Sequence, residues 1–191
     1  YKPPGMRSQG SKWSDHTTIT RWVELHLQPQ RPAFLVHRLD KAARGLILIA
    51  HSKQMARTLT QLFEQREVEK HYRVFVHGKF PAKPNPYRIE SAIDDKPAVS
   101  LIEHLIFDSE QNQSLLDVQI ESGRKHQIRR HLAEAGYPVV GDRLYGTSND
   151  ELDLQLVAYS LAFQLPDSDT PTKFRLPATL SSGFSVPEPS A

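Results

Sequence analysis

Apolar residues recur along this chain at two spacings, and each spacing predicts an element. Between Lys70 and Phe80, KHYRVFVHGKF alternates as a strand does, with Tyr72, Val74 and Val76 on one face and Arg73, Phe75 and His77 on the other. Ala98 to Phe107 and Leu115 to Glu121 read as two more strands, joined by the turn-forming DSEQNQS into a hairpin. LQLVAYSLAFQLP, from Leu154 to Pro166, is another. Helical spacing links Ile19, Trp22, Val23 and Leu27 within Asp15 to Leu27, where Asp15 or Thr17 can cap the start. It returns behind the capping Ser52 in KQMARTLTQLFEQRE, whose Met55, Leu59, Leu62 and Phe63 form one stripe that reads as core. A third helix is predicted over RKHQIRRHLAEAG, with Ile128, Leu132 and Ala135 inward, Gly136 as C-cap and Pro138 following.

Between these elements, PAKPNP is a rigid polar loop, and no internal repeat or linker divides the chain. Residues 1–180 therefore read as one domain. From Asp167 onward proline and serine dominate, and Ser181 to Ala191 reads as a flexible tail that cannot bury enough apolar surface to order itself. YKPPG opens the chain with no apolar strand before it, from which we infer that residues preceding Tyr1 are missing.

The most informative stretch is Phe34 to Ala50, FLVHRLDKAARGLILIA. Gly45 to Ala50 is continuously apolar after its glycine, which predicts a strand buried on both faces. HRLDKAAR then becomes a loop at the end of a core element, a common address for catalytic groups. In it Asp40 lies among Arg38, Lys41 and Arg44, cations that favour the carboxylate form. The plainer reading of such a cluster is a surface ion-pair group of little energetic weight.

Composition narrows the field. At 191 residues, 38% hydrophobic and 24% charged, the chain has the make-up of a soluble globular domain, with no apolar run long enough to cross a bilayer and no signal peptide. The absence of cysteine excludes disulfides, thiolate catalysis and cysteine-ligated zinc, and fits a reducing cytoplasm. A net charge of only +2 says little about nucleic acid, but Arg38, Lys41 and Arg44 form one basic group, and Arg124, Lys125, Arg129 and Arg130 another. Two such groups either line a basic cleft or form separate solvated faces. Nine histidines invite a metal reading, yet His126 and His131 are five apart, off one helix face, and no HExxH occurs, so no metal site is expected.

HRLD followed by GLILIA, then GRKHQIRRHL and GYPVVGDRLYG, resembles in order and spacing the RluA-type family of RNA pseudouridine synthases. YKPPG resembles that family's first motif and EKHYRVFVHG its tyrosine motif, and the likeness runs from Lys2 to about Gly146. The resemblance implies an α+β fold: a bent, mixed, mostly antiparallel sheet flanked by helices, with the active site in a basic cleft across it. It implies that Asp40 is the essential carboxylate, as nucleophile or as base; that Arg129 is its cationic partner, whose planar fork can hold a carboxylate bidentately; and that Tyr72 packs on the uracil while Ile128 walls the pocket. Arg38 would enter the space vacated by a flipped base, and Lys41, Arg44, Arg124 and Lys125 would bind phosphate. His37 belongs to the same binding loop, more as a brace than as a proton carrier. No cofactor is implied, and the partner is ribosomal or transfer RNA, met by a monomer away from membranes.

One departure stands out. Ala43 and Arg44 occupy positions where the family usually carries a Thr or Ser pair before Gly45, and GRKHQ replaces the commoner GRTHQ. An altered RNA preference is the expectation, with an RNA-binding protein that no longer isomerises uridine as the rival. A hydrolase using Asp40 would need a second carboxylate beside it, and the motifs offer no obvious one.

Overall fold

A computed structural model of the chain describes residues 1–10, 18–146 and 152–177. In chain order the elements are α1 (Ile19–His26), β1 (Phe34–Leu35), β2 (Arg44–Gly45), β3 (Ile49–Ala50), α2 (Lys53–Glu64), β4 (Glu69–His77), β5 (Tyr87–Ile93), β6 (Lys96–Asp108), β7 (Gln113–Ile120), α3 (Gln127–Glu134), β8 (Leu156–Phe163) and β9 (Thr172–Arg175). Seven strands form one sheet in the order β2, β8, β4, β7, β6, β5, with β9 also on β8, while β1 and β3 make a separate antiparallel pair. Only β2 with β8 is parallel, so the sheet is mixed and mostly antiparallel, as expected.

The alternating pattern of β4 governs the layering. Tyr72, Val74 and Val76 are buried on one face, where they join Leu116, Val118, Leu156 and Ala158 of the neighbouring strands and Ile128 and Leu132 of α3. On the opposite face Asp117 of β7, nearly buried, accepts a 2.5 Å hydrogen bond from the Tyr159 hydroxyl and lies 3.0 Å from His71 Nδ1 and 3.3 Å from Arg73. Polar cross-links on the rear thus tie together three strands whose front face carries the helix.

Several sequence expectations need correction. The apolar run Gly45 to Ala50 is not one buried strand. Its start pairs with β8, its end pairs with β1, and the residues between cross from one sheet to the other. They are apolar because they serve different cores: Ile47 packs against the cluster around Tyr72, while Leu46 and Leu48 pack against that of α2. The first helix begins at Ile19, with Thr18 as N-cap accepting from Arg21 N–H at 3.3 Å; Asp15 and Thr17, the caps expected, lie outside the described residues, as does the expected tail. Of its stripe only Ile19 is buried, and Trp22 is half exposed. In α2 Ser52 caps as expected, accepting from Met55 N–H at 3.1 Å, and Leu59 and Leu62 are core, but Met55 sits at the exposed end. The third helix starts three residues late. Gln127 explains the delay, because its carboxamide oxygen accepts from the Ser122 hydroxyl and the Arg124 N–H while its amide donates to Val99 O, holding 124–126 as a turn. Strands β5 and β9 were not anticipated.

Gly45 fixes how closely the catalytic-loop candidate approaches the sheet. Its φ is +119°, and a Cβ there would lie 2.2 Å from Ala158 O. Backbone against backbone cannot yield as a side chain can. Gly45→Ala should therefore lower the unfolding free energy by roughly 2–4 kcal/mol, read from urea denaturation midpoints, whereas Gly123→Ala, with open space around it, should change little.

Candidate active site

The HRLD loop is held from three sides. Ser8 braces Leu39 twice, its hydroxyl donating to Leu39 O at 2.5 Å and accepting Leu39 N–H at 3.0 Å. Lys2 is fully buried, its ammonium donating to Pro3 O, Met6 O and Lys41 O, and its backbone pairs with Gly45. Burial lowers the Lys2 pKa to about 8, with the Asp40 charge working the other way. On the third side, His37 Nε2 accepts the Leu48 N–H at 2.9 Å and the ring stacks on Phe63 at 4.4 Å. Burial above all, and then the Lys70 charge, depress the His37 pKa to about 4, so the ring is neutral. Ala43 N–H closes the turn on Asp40 O.

Asp40 is thereby presented beside the start of α3, its side chain a quarter exposed. One oxygen lies 3.5 Å from Arg129 Nη1, the other 3.9 Å from His126 Nε2. Arg129 lies beside Asp40, but not with its fork turned to it. The bidentate fork of Arg129 closes on Asp142, at 2.7 Å from Nε and 2.6 Å from Nη2, leaving one nitrogen for Asp40. Although burial opposes its charge, the hydrogen bonds and charge of Asp142, and then Asp40, raise the Arg129 pKa. Burial would raise the Asp142 pKa, yet Arg129 and the Leu144 and Tyr145 N–H groups outweigh it and hold the carboxyl below its ordinary value. Tyr145 completes the arrangement, its ring 5.2 Å from the Arg129 guanidinium and its hydroxyl 2.9 Å from His126 Nδ1. His126, at φ +53°, is in the left-handed region, and burial lowers its pKa.

Two adjoining hollows meet at this group. The smaller, about 70 Å³, is walled by Asp40, Arg38, Tyr72, Arg124, Ile128 and Arg129 among others; the larger, about 470 Å³, shares Asp40, His126 and Arg129 and includes Lys41. Burial first, and then Asp40, raise the Tyr72 pKa and keep its hydroxyl protonated. Six of the ten residues singled out from the sequence thus converge on the smaller hollow, and Lys41 on its neighbour. Three do not line either. His37 faces α2 as a brace, Lys125 is exposed away from both, and Arg44, half-buried in β2, donates to Gln155 Oε1 at 3.1 Å. Sequence reasoning missed Lys2, His126, Asp142 and Tyr145. All four sit inside the quoted motifs, so the signal was present without an assigned task. Asp142 is also the second carboxylate that the motifs seemed to lack, but its side chain is fully buried and committed to Arg129, so it has no proton to give a glycosidic oxygen.

Among the described residues no group of three His, Asp or Glu side chains is placed to hold a metal ion, and no helix is long and apolar enough to cross a membrane.

Residues 1–134 match the family model described as RNA pseudouridylate synthase. The chain belongs to this family. Among relatives, an uncharacterised RNA pseudouridine synthase of Aquifex aeolicus is 32% identical over 96% of this chain and 68% of its own length, and the tRNA pseudouridine synthase C of Haemophilus ducreyi is 31% identical over 76% and 68%. Another from Chloroflexus aurantiacus is 34% identical over 71% of this chain but 46% of its own length, so the chain spans about half to two thirds of the curated relatives it matches. The solved structure of human RNA pseudouridylate synthase domain containing 4 shares the synthase fold, with a TM-score of 0.73 at 23% identity over 92% of this chain and 83% of that one.

Two outcomes follow for this site. Asp142→Ala strips a buried guanidinium of its bidentate partner and should cost about 3 kcal/mol in chemical denaturation. Because the His37 pKa is lower folded than unfolded, its contribution is complete above about 6.5 and lost as pH falls towards 4. Stability should drop by up to about 3 kcal/mol from this group over that window, and His37→Phe should flatten the fall while costing about 1–2 kcal/mol at pH 7 for the orphaned Leu48 N–H.

Proposed function

We propose that this chain isomerises specific uridines in structured RNA to pseudouridine, with Asp40 as the essential carboxylate. The observation that carries the reading is the arrangement of Asp40, Tyr72, Ile128 and Arg129 around one hollow, with the carboxylate at the edge of an apolar floor. Relatives named for transfer RNA and for the large ribosomal subunit, the latter 29% identical in Nitrosomonas europaea, support ribosomal or transfer RNA as the substrate class. A cytoplasmic setting goes with that class.

The reaction breaks the bond between ribose C1' and uracil N1, turns the freed base and joins C1' to C5; the proton lost from C5 is balanced by one gained at N1. Asp40 either attacks C1' or removes a ribose proton to start it. Both routes need the ionised carboxylate, and the remaining N–H of Arg129 orients it without capping both its oxygens. The protonated Tyr72 packs against the base, and Ile128 and Leu156 exclude water beside it. Reaching this floor requires the uridine to leave its stack at a cost of a few kcal/mol, which the exposed Arg38 guanidinium offsets by stacking where the base was. Lys41 and Arg124 hold backbone phosphate, and Lys125 adds to the same field. Arg44, bonded to Gln155, acts by anchoring β2 in place of the family's hydroxyl pair, and any change in RNA preference comes through the loop it fixes.

Tritium release from RNA carrying 5-tritiated uridine tests the reading. Asp40→Asn should reduce release by more than about a thousandfold while RNA affinity stays within about threefold, and Arg129→Ala should lower kcat far more than it raises KM. Equal loss of binding and release on folded protein would remove Asp40 from the proposed role, and binding without release in the unaltered chain would leave an RNA-binding protein. Lys41→Ala should reduce the slope of log affinity against log salt by roughly 0.7–0.9.

A further inference from the structure

The larger hollow shares Asp40, His126 and Arg129 with the smaller one but is not lined by Tyr72, and apart from these and Lys41 the isomerisation as derived does not use its lining. We propose that it is a subsite for the nucleotide adjacent to the target uridine, so that the enzyme grips two consecutive residues of one RNA strand; the assignment rests on the function proposed above.

Three observations carry it. At about 470 Å³ the hollow has room for a nucleotide, and it shares Asp40, His126 and Arg129 with the smaller one, so an occupant is continuous with the reacting residue. Leu144 on its wall is 67% exposed, the most exposed large apolar side chain among the described residues, and with Pro4 and buried Leu154 it supplies an apolar surface for a base. Lys41 and Arg143 are exposed on the same lining, and neither side chain takes part in an ion pair or hydrogen bond among the described residues, which leaves both for phosphate. Asp153 also lines the hollow. Its carboxylate repels phosphate and accepts from hydroxyls, so it sets the ribose on its own side and the phosphate towards the two cations, a polarity suited to RNA through the 2'-hydroxyl. The wall is built: Gly141, at φ +77°, lets the Leu152–Asp153 backbone approach so closely that a Cβ would lie 2.3 Å from Asp153 O.

Titration with uridine 5'-monophosphate and with oligouridylates of two to five nucleotides, followed by NMR, tests the subsite independently of turnover. Affinity should rise about tenfold or more on adding the second nucleotide, with Leu144 and Leu154 methyl resonances shifting only then. Leu144→Ser and Arg143→Gln should each reduce that gain to under about threefold and leave mononucleotide binding unchanged. A length-independent affinity, or a gain that both variants retain, overturns the proposal. Tritium release run in parallel separates the two ideas: a length-dependent gain without release sinks the isomerase reading and keeps the subsite, whereas release without the gain does the reverse.

Discussion

The site depends on one guanidinium divided between two carboxylates. Arg129 has enough donors to satisfy both, but Asp142 takes the bidentate geometry at 2.6 and 2.7 Å, and Asp40 receives a single nitrogen at 3.5 Å. Were Asp142 absent, the fork would be free to close on Asp40 and tie up both oxygens of the carboxylate proposed to carry the chemistry. The asymmetry therefore separates two tasks that one ion pair could not perform together. Asp142 makes it tolerable to bury a cation, and Asp40 keeps the freedom its proposed role requires.

That division also explains the local architecture. The Asp142 carboxylate gathers the Leu144 and Tyr145 N–H groups as well as the guanidinium, so the segment after Gly141 wraps around it. Tyr145 is thereby carried over Arg129 and against His126, and the two basic neighbours of Asp40 are each backed by a residue of the same segment. From the other direction Lys2 and Ser8 pin the backbone on either side of Asp40, and His37 anchors the loop to Leu48 and Phe63. Both partners of the Asp40–Arg129 pair are held by groups outside it, the usual condition for geometry to survive without substrate.

Much of this was legible because motifs are local and their chemistry is specific. The face of β4 that carries Tyr72, the core helix behind Ser52 and the hairpin of β6 and β7 follow from period and capping alone. What failed did so for reasons of tertiary context. GLILIA is uniformly apolar whether it forms one strand between two layers or crosses between two cores, and only the pairing partners of Gly45 and Ile49 decide. The late start of α3 is set by Gln127 reaching Val99, a contact 28 residues away. Asp142 was overlooked because a carboxylate in a turn is ordinary until its partner is known. Arg44 was read for phosphate from its position after HRLD, and what no pattern shows is that its strand register turns it towards Gln155.

The apolar segment after the loop has a mechanical consequence. Because Leu46 and Leu48 insert into the α2 cluster while Ile47 inserts into the cluster beneath Tyr72, the loop cannot shift without disturbing packing on both sides. Closely packed interiors resist such shifts, so the position of Asp40 is set by two cores and not by the loop's own hydrogen bonds alone. The reaction proposed above, in which a base is turned about a broken bond, benefits from a carboxylate that stays still. Under that proposal the moving parts belong to the RNA, and the exposed residues around the two hollows, Arg38, Lys41, Arg143 and Leu144, are where adaptation to a particular RNA would cost the frame least.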